Sequence, residues 1–112
     1  MRRARRNPDA LQGTLDLLVL KVLSLEPHHG YGIAARIQQI AGDALRVEEG
    51  SLYPALHRME HAGWIAAGWQ TTASNRRARF YRITSSGARR LAEEQKRWDR
   101  VTRAVGKVLR FA

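Results

Sequence analysis

The stretch SLYPALHRMEHAGWI, residues 51–65, predicts a short helix that runs into a strand. Ser51 is a favourable N-cap, because its hydroxyl can accept a free amide of the first turn and contribute about 1 kcal/mol. Pro54 is tolerated in that first turn, where a missing N–H costs nothing, and Gly63 suits the C′ position. One side of the predicted helix carries apolar residues at the spacing of a buried stripe. These residues are Leu52, Ala55, Leu56 and Met59.

The outward side of the same helix carries an aromatic ring and basic groups. Tyr53 lies one turn ahead of His57, which is followed by Arg58. A phenol at a helix N-terminus can donate to a phosphate or contact a base edge, and the free amides there attract anions. His57 and His61 stand four residues apart, but no suitable third ligand accompanies them, so a metal site is not expected.

Composition narrows the classes of partner. The 112 residues suit one compact domain, and 20 Lys and Arg against 10 Asp and Glu give a net charge of +10. A protein this basic usually meets a polyanion, nucleic acid first and an acidic membrane surface second. The absence of cysteine excludes disulfides and cysteine-ligated zinc. The most apolar run, residues 15–25, is too short to span a bilayer and contains Asp16 and Lys21, so we expect a cytoplasmic protein without membrane association.

Two helices are predicted ahead of the opening stretch. The first extends from Asp9 or Gln12 to Leu25 and is apolar nearly all round, so it must be buried on more than one side. Its main stripe consists of Leu11, Leu15, Leu18, Val22 and Leu25, with Leu17, Leu20 and Leu23 on other sides. A small chain cannot cover such a helix alone, which indicates a partner subunit. The second helix runs from about Tyr31 to Ile40, with Ile33, Ile37 and Ile40 facing inward.

Two strands and a long helix are predicted after Gly63. The runs WIAAGW and ARFYRIT flank the polar QTTASNRR, as in a β-hairpin with a basic tip. Its apolar contacts are expected from Trp64, Ile65, Phe80 and Ile83. The final helix opens at Thr84 or Ser85 and reaches about Leu109. Its apolar positions form an a/d seam, namely Leu91, Trp98, Val101, Val105, Val108 and Ala112, which predicts packing against another helix.

The order of helix, helix, helix, strand, strand and helix is typical of a winged helix-turn-helix, a mainly α fold with a small β-hairpin. In such a module the third helix enters the major groove and the hairpin, or wing, touches the backbone or minor groove. We therefore predict a disordered basic arm over residues 1–8, a DNA-binding domain over residues 9–84 and a C-terminal dimerisation helix over residues 85–112. The expected homodimer interface consists of Leu15, Leu18, Val22, Leu91, Trp98, Val101, Val105 and Val108.

Five motifs together resemble the PadR family of bacterial transcriptional regulators. They are GTLDLLVLKVL, HGYGIAARIQ, GSLYPALHRME, GWI and RRARFYRITSSGARRL, within residues 11–92. The single C-terminal helix resembles the smaller branch of that family. The resemblance implies a dimeric winged-helix repressor. We expect the dimer to act by steric block, bound to double-stranded DNA at a pseudo-palindromic operator. The positions that it implies face DNA are Tyr31, Ser51, Tyr53, Pro54, His57 and Arg58, with Asn75, Arg76, Arg77 and Arg79 in the wing.

Several alternatives stay open on the sequence alone. Tyr31 and Tyr53 could be packing residues, the wing arginines could be merely solvated, and Glu48 and Glu49 should point away from phosphate or cap helix amides. A flat small-molecule effector could stack on Trp98 in the dimer cleft. The scaffold could also serve a protein-interaction or RNA-binding module. An enzyme is not expected, because no phosphate-binding glycine loop or nucleophile–base cluster is present, and no cofactor is expected.

Overall fold

The computed structural model describes the backbone of residues 8–112 and the side chains of residues 13–112. The order of elements is α1 (Pro8–Leu25), β1 (His28–His29), α2 (Gly30–Ala41), a 3₁₀ turn (Gly42–Ala44), α3 (Glu49–His61), β2 (Ile65–Thr71), β3 (Arg77–Ile83) and α4 (Ser85–Leu109). The predicted mainly helical fold with a hairpin is confirmed. The predicted arm, except for Pro8, and the side chain of Leu11 lie outside the described residues.

The sheet has three antiparallel strands in the order β1, β3, β2, so β3 is central. Strands β2 and β3 pair from Ile65 opposite Ile83 to Thr71 opposite Arg77, which makes the wing. Strand β1 pairs His28 with Tyr81 on the other edge of β3. The sequence did not predict β1, because two residues carry no alternation from which a strand can be inferred.

The core lies between the first three helices and the base of the wing. It is formed by Val19, Leu20, Val22, Leu23, Ile33, Ile37, Leu52, Ala55, Leu56, Met59, Ile65, Tyr81 and Leu91. The predicted stripe of α3 is therefore confirmed, whereas two other expectations were wrong. Ile40 is exposed rather than inward. Val22 and Leu91, expected at a dimer interface, are buried in this chain's own core because α1 and α4 pack directly on one another.

Helix α3 begins earlier than expected. Its N-cap is Glu48, whose carbonyl accepts the amides of Ser51 and Leu52 at 3.0 and 2.9 Å, so the prediction of Ser51 as N-cap was wrong. Pro54 consequently lies inside the helix, past the first turn, and cannot donate to the carbonyl four residues earlier. The predicted C-terminus is confirmed: Gly63 has φ 85°, its amide donates to Glu60, and the amide of the next residue donates to Met59.

Helix α4 is anchored at its first turn and extends away from the core. The helix begins at Ser85, one of the two predicted starts, and Thr84 is its N-cap: the hydroxyl accepts the Gly87 amide at 3.0 Å and donates to the Gly63 carbonyl at 2.7 Å. Beyond Leu91, no described residue of α4 is buried. The apolar seam from Trp98 onward is thus uncovered in the single chain.

Candidate nucleic-acid interface

Tyr53 projects from the N-terminal half of α3 and lies against the start of α2. A β-carbon on Gly30, the first residue of α2, would lie 2.6 Å from Cε1 of the Tyr53 ring. The ring can occupy this place only because position 30 has no side chain. Tyr53 nevertheless stays 43% exposed. Its ring is therefore held from one side by the backbone and open to a ligand on the other.

His29 organises the neighbouring start of α2. Its Nδ1 accepts the amide of Gly32 at 2.9 Å, so this imidazole is the N-cap of α2. Its ring stacks with Tyr31 at a centroid distance of 6.3 Å and meets the edge of Phe80 at 5.4 Å. Tyr31 is 69% exposed. Sequence reasoning missed His29, since histidine is not among the residues that usually cap a helix.

The tip of the wing is a tight turn that carries two unpaired arginines. Asn75 has φ 64°, a left-handed conformation that asparagine tolerates. Its amide donates to Thr72 at 2.9 Å, and the Thr72 amide donates to Arg76 at 2.7 Å. Arg76 and Arg77 are exposed, and within the described part of the chain neither pairs with a carboxylate. Both charges are therefore available to an external anion.

The root of the wing is tied to α3 and to an exposed tryptophan. Arg79 pairs with Glu60 of α3 at 2.8 Å, so its charge is partly neutralised. The guanidinium carbons of Arg77 and Arg79 lie 5.1 and 5.8 Å from the centroid of the Trp69 ring. Trp69 is 57% exposed and lies directly opposite Arg79 in the sheet. Trp69 could not be recognised from the sequence, because the arginines that stack on it come from the other strand.

Most of these groups, though not Trp69 or Glu60, border one groove between the start of α2, α3 and the wing. Its volume is about 510 Å³, and its lining includes Tyr31, Tyr53, Ser74, Arg76 and Arg77. Tyr81 forms part of its wall, and burial raises the pKa of this phenol above its usual value. The groove combines three phenol rings, side-chain hydroxyls and positive charge, the chemistry that suits a sugar-phosphate backbone and exposed bases.

The structure does not bring every predicted contact residue into this groove. Ser51, Pro54 and Arg58 border a different, mainly apolar hollow of about 480 Å³ between α1 and α3. Arg58 binds Asp16 of α1 through both terminal nitrogens, at 2.8 and 3.0 Å, which differs from the expectation that it faces DNA. Hydrogen bonding to Asp16 raises the pKa of Arg58.

The other positions that the sequence singled out around α3, including His57, lie outside the groove. Glu48 borders the apolar hollow, away from the groove, as expected. His57 and His61 border a third hollow of about 580 Å³, and Arg79 also lines it. No group of three or more metal-ligating side chains occurs within residues whose side chains are described. None of the described helices is long and apolar enough to cross a bilayer.

Residues 19–93 match the Transcriptional regulator PadR-like family. The chain belongs to this family. A PadR-like transcriptional regulator from Bacillus cereus is 28% identical, with a TM-score of 0.79 over 93% of this chain and 99% of that one. A PadR family regulator from Eggerthella lenta is 32% identical, with a TM-score of 0.74 over 94% and 89% of the two chains. A Mycobacterium tuberculosis transcriptional regulator is 34% identical over 68 residues, 61% of this chain and 63% of the relative. The resemblance is thus confirmed: the protein is a PadR-like transcriptional regulator, a class whose members are generally not enzymes.

Proposed function

We propose that this PadR-like regulator is a homodimeric repressor that binds double-stranded DNA with sequence specificity. The observation that carries the proposal is the groove in which Tyr31 and Tyr53 share one surface with Arg76 and Arg77. In a winged helix this arrangement directs α3 into the major groove and the wing tip onto the backbone. The net charge of +10 supplies the long-range attraction to a polyanion.

The proposed dimer uses the uncovered part of α4. Trp98, Val101, Val105 and Val108 are exposed, and Leu15 and Leu18 of α1 are only partly buried. Burial of these side chains against a second copy would be self-complementary about a two-fold axis. The dimer would then place two α3 helices in successive major grooves, with half-sites about 10 base pairs apart. Bound at a promoter it would exclude polymerase, and an effector in the dimer cleft would release it by changing the separation of the two helices.

A footprint on the DNA upstream of the protein's own gene tests the proposal. We expect a two-fold symmetric protected region, formed by a protein that sediments as a dimer. Affinity for a duplex of that sequence should exceed affinity for a scrambled duplex by at least about a thousandfold. Equal or tighter binding of single-stranded RNA would favour the RNA-binding alternative. If the protein bound neither duplex DNA nor single-stranded RNA, the protein-interaction alternative would be favoured.

Replacement of Tyr53 by alanine should weaken specific DNA binding by about 1–3 kcal/mol, the usual contribution of one sequence-specific interaction. The fold should survive, because the ring lies outside the core. Operator affinity and thermal unfolding are measured on one preparation. Tyr53→Phe is the matched control, which isolates the contribution of the hydroxyl. A Tyr53→Ala variant that unfolds early but binds normally when folded would show that the ring is a packing residue.

Gly30→Ala provides an independent check on the position of the ring. The added β-carbon displaces the Tyr53 ring without removing it. If the placement of the ring matters, Gly30→Ala should reduce operator affinity, and the two substitutions together should cost less than their sum.

The wing should contribute affinity that does not depend on sequence. If Arg76 and Arg77 neutralise phosphates, each alanine substitution should weaken specific and scrambled duplexes equally. The slope of log affinity against log salt should also flatten by about 0.9 for each phosphate that is no longer neutralised. Arg82→Ala, an exposed arginine on the same strand but away from the tip, is the matched control. An unchanged slope in the Arg76→Ala/Arg77→Ala double variant would show that the wing tip does not contact the phosphates.

A further inference from the structure

An ion pair joins α1, which contributes to the proposed dimer surface, to α3, the proposed DNA-contacting helix. Asp16 is 9% exposed and lies on the inner side of α1, and Arg58 reaches it from α3. Nη1 donates to one carboxylate oxygen at 2.8 Å and Nη2 donates to the other at 3.0 Å. The two residues are 42 positions apart in the sequence. The contact is therefore tertiary and bidentate, and its carboxylate is largely removed from water.

This geometry restricts the relative placement of the two helices. The apolar side chains around the pair are attracted without directional preference, so they tolerate small rotations and slides. Two parallel hydrogen bonds between planar groups have a fixed spacing and direction. A buried carboxylate also loses much of its stabilisation when its partner moves away. The pair consequently selects one orientation of α3 among several that the apolar contacts would accept.

Arg58 is withdrawn from the nucleic-acid groove by this contact. It follows His57 on α3, yet its two terminal nitrogens are occupied by Asp16 and it borders the hollow between α1 and α3. Tyr53, five residues earlier on the same helix, borders the groove instead. A small rotation of α3 about the α1 contact would shift the Tyr53 ring relative to the wing.

We propose that Asp16 and Arg58 are positioning residues that fix α3 against α1 and thereby set the DNA affinity without touching DNA. The proposal rests on the DNA-binding function proposed above. Leu15 and Leu18 belong to the same helix as Asp16 and to the proposed dimer surface. The pair therefore also connects the dimer surface to the helix that contacts DNA.

Asp16→Asn distinguishes positioning from direct contact, because only the positioning role predicts a loss of operator affinity. If Arg58 positions α3, loss of the carboxylate charge weakens operator binding about tenfold, with an unchanged salt slope because the number of neutralised phosphates stays the same. If Arg58 contacts DNA directly, Asp16→Asn frees its charge and leaves the affinity unchanged or higher. Affinity is measured below the unfolding temperature of each variant, with circular dichroism to confirm the fold.

Arg58→Lys tests the same pair without burying an unpaired acid. Lysine keeps the positive charge but cannot form the bidentate contact, so the same decrease in affinity with the same salt slope is expected. Wild-type affinity in this variant would overturn the inference, even if Asp16→Asn failed to fold. Arg76→Ala on the same operator is the reference: if it weakens binding while Asp16→Asn does not, the inference fails and the proposed function stands. Absence of duplex binding by the wild-type protein would overturn the proposed function, and the inference with it.

Discussion

Replacement of Gly87 by alanine should lower the free energy of unfolding by about 3 kcal/mol, the upper end of the cost of overpacking a core. A β-carbon at this position would collide with the backbone carbonyl oxygen of Trp64 and would lie 2.9 Å from Cγ1 of Ile83. A backbone carbonyl cannot rotate away as a flexible side chain can. The same carbonyl accepts the amide of Thr84, the residue that caps α4. The first turn of α4 would therefore have to leave the base of the wing.

Gly106→Ala is the matched control in the same helix. Its β-carbon would meet only the guanidinium end of Arg110, at 3.0 Å, which can move aside. Alanine is the better helix former, so this variant should be unchanged or stabilised by about 0.5–1 kcal/mol. Urea unfolding followed by circular dichroism measures the free energy of unfolding of both variants. If Gly87→Ala were as stable as Gly106→Ala, the close approach of α4 to Trp64 would be wrong.

The parts of the fold that the sequence predicted correctly depend on neighbouring residues. The stripe of α3 follows from a period of 3.6, the C-terminus at Gly63 from a required left-handed residue, and the start of α4 from the hydroxyl-bearing residues Thr84 and Ser85. The prediction of the start of α3 was wrong, although it too was made from neighbouring residues. Ser51 is the better capping residue in isolation, but the helix begins at Glu49, and the cap position falls on Glu48.

The features that the sequence could not predict depend on residues that are distant in the chain. Nothing around Arg58 indicates Asp16, because the pair forms only once α1 and α3 are packed. The stacking of Arg77 and Arg79 on the Trp69 ring requires the register of the hairpin. Ile40 continues the apolar period of α2 beyond the point where a neighbouring element covers it, so it is exposed. The structure brings Tyr31, Tyr53, Arg76 and Arg77 of the predicted site residues to one groove, whereas Ser51, Pro54 and Arg58 border another hollow because α3 presents them to α1.

The uncovered seam of α4 leads to the largest expected effect on assembly. Val105 is 49% exposed in the single chain, so an aspartate there is solvated in the monomer and the fold should survive. In the proposed dimer the same carboxylate would be buried without a partner, which costs several kcal/mol, more than one apolar contact contributes. We expect Val105→Asp to sediment as a folded monomer of poor solubility, since Trp98, Val101 and Val108 stay exposed.

Operator binding should disappear together with the dimer, because only the two-fold axis holds the two α3 helices at the spacing of a pseudo-palindrome. A monomer retains one set of phosphate contacts, so its weak affinity for scrambled duplex should persist. Ala92→Asp is the matched control: it adds the same charge to the same helix at an exposed position outside the seam, and should stay dimeric. Analytical ultracentrifugation and operator titration of both variants measure the two effects. A stable Val105→Asp dimer that still binds its operator would place the subunit interface elsewhere, because a buried, unpaired carboxylate could not be accommodated at the seam.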